Sequence, residues 1–272
     1  MLQADPLSPT SPRPPAGAPR YQRLRVIAAM MIREMSARFG RSAGGYFWAL
    51  AEPLGGILLL SLAFQFALRS PPIGTSFMLF YATGIIPMSV YNGVQRAVAK
   101  SVDSNRGLLT YPVVSLIDAV IAKFLLNTLT HAIVAVVLFT SIILYDGLYV
   151  TLDPVRLVLG FLLAALLGLG VGSLNCVLIG FFPTWKNIWT VLSRPLFIIS
   201  GVFFLFESVP PAFQAILWWN PLVHVIATMR AGIFATYQPG FVSYPYVLGL
   251  SLGLFAVGGW LMRRHAAWLI EQ

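Results

Sequence analysis

The sequence predicts an all-α membrane protein that crosses the bilayer several times, and three observations carry this prediction. Hydrophobic residues make up 58% of the 272 residues, whereas charged residues make up only 10%. Soluble domains usually contain about 25% charged residues, so this chain has too few polar side chains to cover its own surface. Apolar runs near the roughly 20 residues that a transmembrane helix requires recur along the sequence.

Six apolar runs are each predicted to form one transmembrane helix. Because the third run contains Asp118 and Lys123, its first turns are expected to project into the cytosol. Between the fifth and sixth runs, Pro210, Pro211 and Pro221 interrupt an apolar sequence, and proline breaks helices. We therefore predict re-entrant or interfacial helices there, dipping into the membrane from the periplasmic side. The runs cover approximately residues 47–68, 76–95, 113–145, 156–182, 188–206 and 246–263.

The residues before the first run divide into two segments, and residues 43–272 hold the six predicted spans. Residues 1–20 are rich in proline and lack the apolar core of a signal peptide, so we expect a disordered cytosolic tail. Residues 21–42 combine arginines with apolar side chains at helical spacing. This pattern predicts an amphipathic helix on the membrane surface or against a partner protein. Its apolar positions are Leu24, Ile27, Ala28, Met31 and Met35.

The distribution of basic residues predicts the orientation in the membrane. The chain has 18 Lys and Arg against 9 Asp and Glu, a formal net charge of +9. The basic residues are concentrated before the first run, after the second and after the sixth, and such loops stay in the cytosol. Both termini are therefore predicted to be cytoplasmic. Because these residues lie between apolar runs, contact with lipid headgroups is favoured over nucleic-acid binding.

Small residues at every fourth position predict where helices pack closely, because they let two backbones approach. The only cysteine of the chain belongs to one of these stripes, so no disulfide within the chain and no cysteine-based metal site is expected. The stripes are Ala164, Gly168, Gly172 and Cys176 in the fourth run, and Gly249 and Gly253 in the sixth.

The sequence contains no recognisable catalytic, metal or phosphate-binding site. Lys100, Lys123 and Lys186 follow Ala, Ala and Trp, so none belongs to the Gly-Lys-Ser/Thr motif of a phosphate-binding loop. The three histidines are scattered, without a second ligand at metal-binding spacing. We therefore predict no enzyme activity, no catalytic residue, no metal and no cofactor in this chain.

The segment MIREMSARFGRSAGGYFWALAEPLGGILLLSLAF, residues 31–64, resembles the N-terminal region of ABC-2 type permeases that export capsular polysaccharides. The likeness continues in residues 105–127 and in residues 218–234, so it extends over nearly the whole chain. The positions that carry it are Arg33, Glu34, Arg38, Phe39, Gly40, Gly45, Tyr46, Trp48, Glu52 and Pro53.

The resemblance implies the permease subunit of an ATP-driven exporter of a lipid-linked capsular polysaccharide in the bacterial inner membrane. It implies a homodimer with two copies of a separate subunit that binds ATP and Mg, and a periplasmic polysaccharide copolymerase as a further partner. Related alternatives are an exporter of O-antigen or teichoic acid and an ABC-2 drug exporter. A different class, an integral-membrane glycolipid transferase, would need a clustered acid–base or metal site.

The resemblance also implies where function resides. Sugar rings stack on aromatic side chains, although the same aromatics suit the membrane interface. For Glu52, a role in the path and a structural role, in which Arg41 or Arg194 neutralises its carboxylate, both stay open. Candidates for the translocation path are Tyr46, Trp48, Glu52, Tyr91, Trp189 and Arg194. Candidates for coupling to the ATPase are Arg33, Glu34, Arg38, Arg96, Lys100, Asp103 and Arg106.

Overall fold

The computed structural model describes residues 19–39, 44–109 and 114–271. Within these ranges the chain is built from α-helices joined by turns, with two short 3₁₀ turns and no strand, which confirms the predicted all-α class. The helices are α1 (Pro19–Phe39), α2 (Gly44–Ala67), α3 (Phe77–Ala99), α4 (Arg106–Leu109), α5 (Leu116–Tyr145), α6 (Pro154–Phe181), α7 (Trp185–Ile198), α8 (Pro211–Leu217), α9 (Pro221–Ile233), α10 (Tyr244–Arg264) and α11 (Ala266–Glu271).

Five helices of the described residues are long and apolar enough to cross a membrane: α2, α3, α5, α6 and α10. The protein is thus a polytopic helical membrane protein. The predicted count of six spans is not confirmed, because the fifth apolar run forms the 14-residue α7. A helix of this length extends about 21 Å, less than the roughly 30 Å hydrocarbon core.

The end of α7 explains this difference. Pro195 lies inside the helix, and Gly201 follows with a φ of +84°. This left-handed conformation is readily adopted only by glycine, so the chain turns before the predicted run ends at residue 206. The apolar composition alone did not reveal this turn.

The two short helices α8 and α9 occupy the proline-interrupted segment, as predicted, and each begins with proline in its first turn. Asn220 caps α9 by accepting a hydrogen bond from the Leu222 backbone N–H at 3.1 Å. Residues 222–233 of α9 are all buried, and α9 packs against α3 and α6. How these helices lie relative to the membrane stays a prediction.

The first stripe of small residues is confirmed as the contact between α3 and α6. A Cβ on Gly168 would lie 2.9 Å from the Tyr91 carbonyl oxygen, and one on Gly172 would lie 2.8 Å from Val98 Cβ. These distances are shorter than normal van der Waals contacts, so only glycine allows the two backbones to approach this closely.

The second stripe is not a helix contact within the chain. A Cβ on Gly249 or Gly253 would meet no atom within 4 Å among the described residues. The face of α10 that packs on α6 contains Ser251 instead, whose carbonyl oxygen would lie 2.4 Å from a Cβ on Gly170. With 3.6 residues per turn, positions two residues from Ser251 point to nearly the opposite side of the helix. The prediction for this stripe was therefore wrong.

Helix α1 packs against α5, through a face that matches the predicted one only in part, at Ile27 and Met31. Met30 is buried, and Val26 and Ile27 are partly buried beside it. Leu24 and Met35, which were assigned to the apolar face, are exposed. The apolar side chains therefore divide into a strip against α5 and a strip open to the surroundings.

Candidate functional site

A polar groove runs along α3, bordered by α2 on one side and α7 on the other. We call it the α3 groove. Three adjoining cavities of about 310, 480 and 440 Å³ form it, and they share lining residues from one to the next. In the cavity of about 480 Å³, the polar, charged and aromatic lining comprises Glu52, Asn92, Gln95, Arg96, Trp189, Thr190, Ser193 and Arg194.

Glu52 and Arg96 form an ion pair across the groove from α2 to α3. Their Oε1 and Nη2 atoms are 3.7 Å apart, and the side chains are 72% and 61% exposed, respectively. Arg96 Nε also donates a hydrogen bond to the Asn92 carbonyl at 3.1 Å. The partner of Glu52 is thus Arg96 rather than the predicted Arg194, and the alternative Arg41 lies outside the described residues. An ion pair this exposed contributes about 1 kcal/mol or less, so both charges remain available to a ligand.

Helix α7 contributes an aromatic and polar face to the groove. The rings of Trp185 and Trp189 are stacked, with centroids 6.4 Å apart and planes inclined by 29°. Trp185 Nε1 donates a 2.8 Å hydrogen bond to Asn175 Oδ1, which joins the start of α7 to α6. Trp189 and Arg194, both predicted for the path, line the groove side by side with Ser193.

Three other predicted path residues lie elsewhere or outside the described side chains. Tyr91 is only 3% exposed and packs with Met88, Leu167 and Leu222, so the prediction that it faces the path is not supported by its position. It lies on the face of α3 that meets α6. Trp48 is exposed and lines an adjoining cavity, which shares Glu52 and Arg96 with the groove. Tyr46 belongs to α2, and its side chain is outside the described part.

That adjoining cavity, which we call the α5 cavity, has a volume of about 430 Å³ and lies between α1, α2, α3 and α5, on the other side of the Glu52–Arg96 pair. Lys123 and Glu34 meet in it, with Nζ and Oε1 2.6 Å apart. The two side chains are only 8% and 22% exposed, in contrast to the Glu52–Arg96 pair. This interaction joins α1 to α5.

The predicted coupling residues divide into two groups. Arg33 donates a hydrogen bond to Asn105 Oδ1 and Glu34 pairs with Lys123, so both tie α1 to its neighbours. The second group lies around the turn after α3, where Arg106 Nη2 lies 2.8 Å from Asp103 Oδ1 and Lys100 is exposed. The Arg38 side chain is outside the described part.

The sequence analysis missed the polar residues of α3 that line the groove. Asn92 and Gln95 lie in the second apolar run, three residues apart, and join Arg96 in the lining. Polar residues at helical spacing inside an apolar run are a usable indication of a solvated face. The contact of Lys123 with Glu34 had no comparable indication, because 89 positions separate the two residues.

The groove offers hydrogen-bonding groups and aromatic rings for an extended polar ligand. Amides, hydroxyls, a carboxylate and two guanidinium groups line it, and these groups suit a hydroxyl-rich chain. Among the described residues, no group of three or more His, Cys, Asp and Glu side chains is placed to hold a metal ion.

Comparison with known proteins gives consistent results over most of the chain. Residues 25–234 match the family described as ABC-2 type transporter. The polysialic acid transport protein KpsM of Escherichia coli is 30% identical over 232 residues, which cover 85% of this chain and 90% of KpsM. The capsule polysaccharide export inner-membrane protein CtrC of Neisseria meningitidis is 27% identical over 234 residues, covering 86% of this chain and 88% of CtrC. BexB of Haemophilus influenzae, which has the same description, is 27% identical over 236 residues and equally covered.

Proposed function

Because the chain belongs to the ABC-2 type transporter family, we propose that it is the transmembrane permease of an ATP-driven exporter of lipid-linked capsular polysaccharide. Relatives named for polysialic acid transport and capsule polysaccharide export support this substrate class. The observation that carries the proposal is the α3 groove, an open surface between helices on which charged, polar and aromatic side chains stand among apolar ones. Export would proceed across the bacterial inner membrane, with both termini cytoplasmic.

The chemistry of the groove suits a long glycan that must slide rather than remain bound. Asn92, Thr190 and Ser193 offer groups that exchange hydrogen bonds with sugar hydroxyls. Arg96 and Arg194 offer guanidinium groups that attract the acidic groups of charged glycans. Because the Glu52–Arg96 pair is exposed and weak, ligand groups can displace it at little cost.

The proposal includes partners that supply energy and complete the path. Two protomers would face each other with their α3 grooves, and each would bind a separate subunit that holds ATP and Mg. Lys100 and Asp103 are exposed at one end of the groove, and Arg106, which is half-buried, pairs with Asp103. These residues, together with Arg38, are the contacts we propose for that subunit. Arg33 and Glu34 would act indirectly, by holding α1 against the turn after α3 and against α5. A periplasmic copolymerase would receive the glycan.

The groove is tested by filling it. Ser193→Trp places a large side chain among the lining residues and is expected to lower surface polysaccharide by roughly tenfold, because the glycan can no longer pass. Val191→Trp is the matched control, since Val191 is an exposed residue of the same helix that does not line the groove. Surface polysaccharide is measured in cells, and assembly is measured by co-purification with the ATPase. Normal export by an assembled Ser193→Trp transporter would remove α7 from the path.

Dependence on a partner gives a second test, which also separates transport from the transferase alternative. The purified chain alone is expected to hydrolyse no ATP, and hydrolysis is expected to appear on reconstitution with an ATP-binding subunit encoded beside it. Sugar transfer to a lipid acceptor by the isolated chain would favour the transferase. Magnesium-dependent ATP hydrolysis by the isolated chain would contradict the permease proposal.

A further inference from the structure

Helix α7 borders the α3 groove but is held mainly at its two ends. Of its 14 described residues, none is buried. Its first residue, Trp185, is joined to α6 by one side-chain hydrogen bond, to Asn175, which is the weaker of the two attachments. After its last residue the chain enters a segment without α-helix, residues 199–209, in which Val202 is completely buried. The segment sits close to α3, because a Cβ on Gly84 would lie 3.1 Å from Val202 Cα.

Arg230 on α9 is the residue that binds this segment. Its side chain is buried, with only 2% of the residue exposed. Nη1 donates a hydrogen bond to the Phe204 carbonyl and Nη2 donates one to the Val202 carbonyl, both at 2.9 Å. The guanidinium carbon also lies 4.2 Å from the centroid of the Phe80 ring on α3. One planar group therefore joins α9, α3 and the segment after α7.

The surroundings of Arg230 keep this arrangement charged and fixed. Glu207, in the same segment, lies close enough to interact electrostatically with the guanidinium. Tyr237 donates a hydrogen bond from its hydroxyl to Glu207 Oε2 at 3.1 Å. Burial, together with the Glu207 carboxylate, raises the pKa of the Tyr237 phenol, so it remains a donor at neutral pH.

The other end of α9 binds the same part of the chain. Asn220 Nδ2 donates a hydrogen bond to the Ile199 carbonyl at 3.1 Å, while its Oδ1 caps α9. Asn220 and Arg230 are about 15 Å apart along the helix axis. Helix α9 is packed into the core and forms hydrogen bonds with residues 199–204 at two places. It therefore resists displacement of this segment.

We propose that Arg230 is a positioning residue that anchors one end of α7, so that α7 swings about this end when the ATPase drives transport. The inference rests on the proposed function, since it assigns the motion to a helix lining the groove. The opposite end of α7, near Trp189, shares a cavity with Lys100 and Asp103, where the ATPase is proposed to act. A push received there would open or close the groove only if the far end stays in place.

A reporter disulfide tests whether the anchored end is stationary. Gly84→Cys and Val202→Cys in a Cys176→Ser background would place two Cβ atoms about 3.4 Å apart, close to the separation found in disulfides. The disulfide is expected to form and to leave export within about twofold of the same variant kept reduced, because a pivot does not move. Loss of export on oxidation, reversed by reductant, would overturn the proposal.

Substitutions of Arg230 test the anchor itself. Arg230→Met is expected to lower export by roughly tenfold while the purified complex retains its ATP hydrolysis, because an unanchored α7 no longer transmits motion. We also expect a cysteine replacing Val202 to react with a membrane-impermeant maleimide in the Arg230→Met variant. The same cysteine is expected to stay unlabelled in the protein that keeps Arg230. Arg230→Lys, which keeps the charge and hydrogen-bond donors, is expected to restore part of the export.

The control is Thr228→Val on the same helix, where a buried hydroxyl bonds only within α9, to the His224 carbonyl. It is expected to leave export and labelling unchanged. A Val202 cysteine that stays unreactive in Arg230→Met would refute the anchor, even if the complex fails to assemble. A different pair of results would separate the two proposals. If Ser193→Trp exports normally while the cysteine at position 202 becomes reactive in Arg230→Met, the groove is not the glycan path, but Arg230 still anchors the segment after α7.

Discussion

Gly172→Leu is expected to destabilise the folded protein strongly, whereas Gly253→Leu is expected to leave its stability nearly unchanged. At position 172 even a Cβ would lie 2.8 Å from Val98 Cβ and 2.9 Å from the Gln95 carbonyl oxygen. The three further carbons of leucine would force α3 and α6 apart along their contact. Overpacking of this kind costs about 3 kcal/mol, a large part of the stability of a typical domain.

Gly253→Leu is the matched control for this prediction. It makes the same change in another predicted span, at a position where a Cβ would meet no described atom within 4 Å. Detergent-solubilised variants are compared by thermal melting and by size-exclusion chromatography. Equal melting temperatures for the two variants would contradict the assigned contact between α3 and α6.

Lys123→Met is expected to detach α1 from α5 and to destabilise the transporter by about 3 kcal/mol. The lysine ammonium lies 2.6 Å from Glu34 Oε1, and the two side chains are only 8% and 22% exposed. Removing one partner of such a pair leaves a poorly solvated charge, whereas replacing both with apolar residues costs far less. Glu34→Met combined with Lys123→Met is therefore expected to recover most of the lost stability.

Thermal melting of the single and double variants gives the coupling energy between the two residues, and limited proteolysis near α1 reports its release. Arg156→Met serves as the control, because its pair with Asp153 is more exposed and spans one helical turn. Such a pair contributes about 0.5 kcal/mol. A Lys123→Met variant no less stable than Arg156→Met would show that the pair does not hold α1.

The sequence predicted the membrane class and most of the spans because hydropathy is a sum over about 20 residues and tolerates local irregularity. It did not predict the end of α7, which depends on the conformation of one glycine, Gly201. The two stripes of small residues show the same limit. Gly168 and Gly253 have similar neighbours in sequence, yet one faces another helix and the other faces outward.

The candidate site shows why residue type alone is insufficient. Tyr91 and Trp189 are both aromatic residues in apolar runs, but Tyr91 is turned into the contact with α6 and Trp189 into the groove. Which side of a helix meets water is decided by its neighbours rather than by its own sequence. The same reason hid the contacts of Arg230. Its two carbonyl partners lie 26 and 28 positions away.

The weak ion pair of Glu52 and Arg96 has a consequence for how a polymer would travel. A chain of repeating units drawn past a deep binding site would pause at every repeat, and its speed would depend on the composition of each unit. A pair worth about 1 kcal/mol or less gives a shallow energy profile instead, with little friction per repeat. Such a surface would make the rate of export depend on the proposed ATP-binding subunit. It would also let one permease carry chains of any length without stalling.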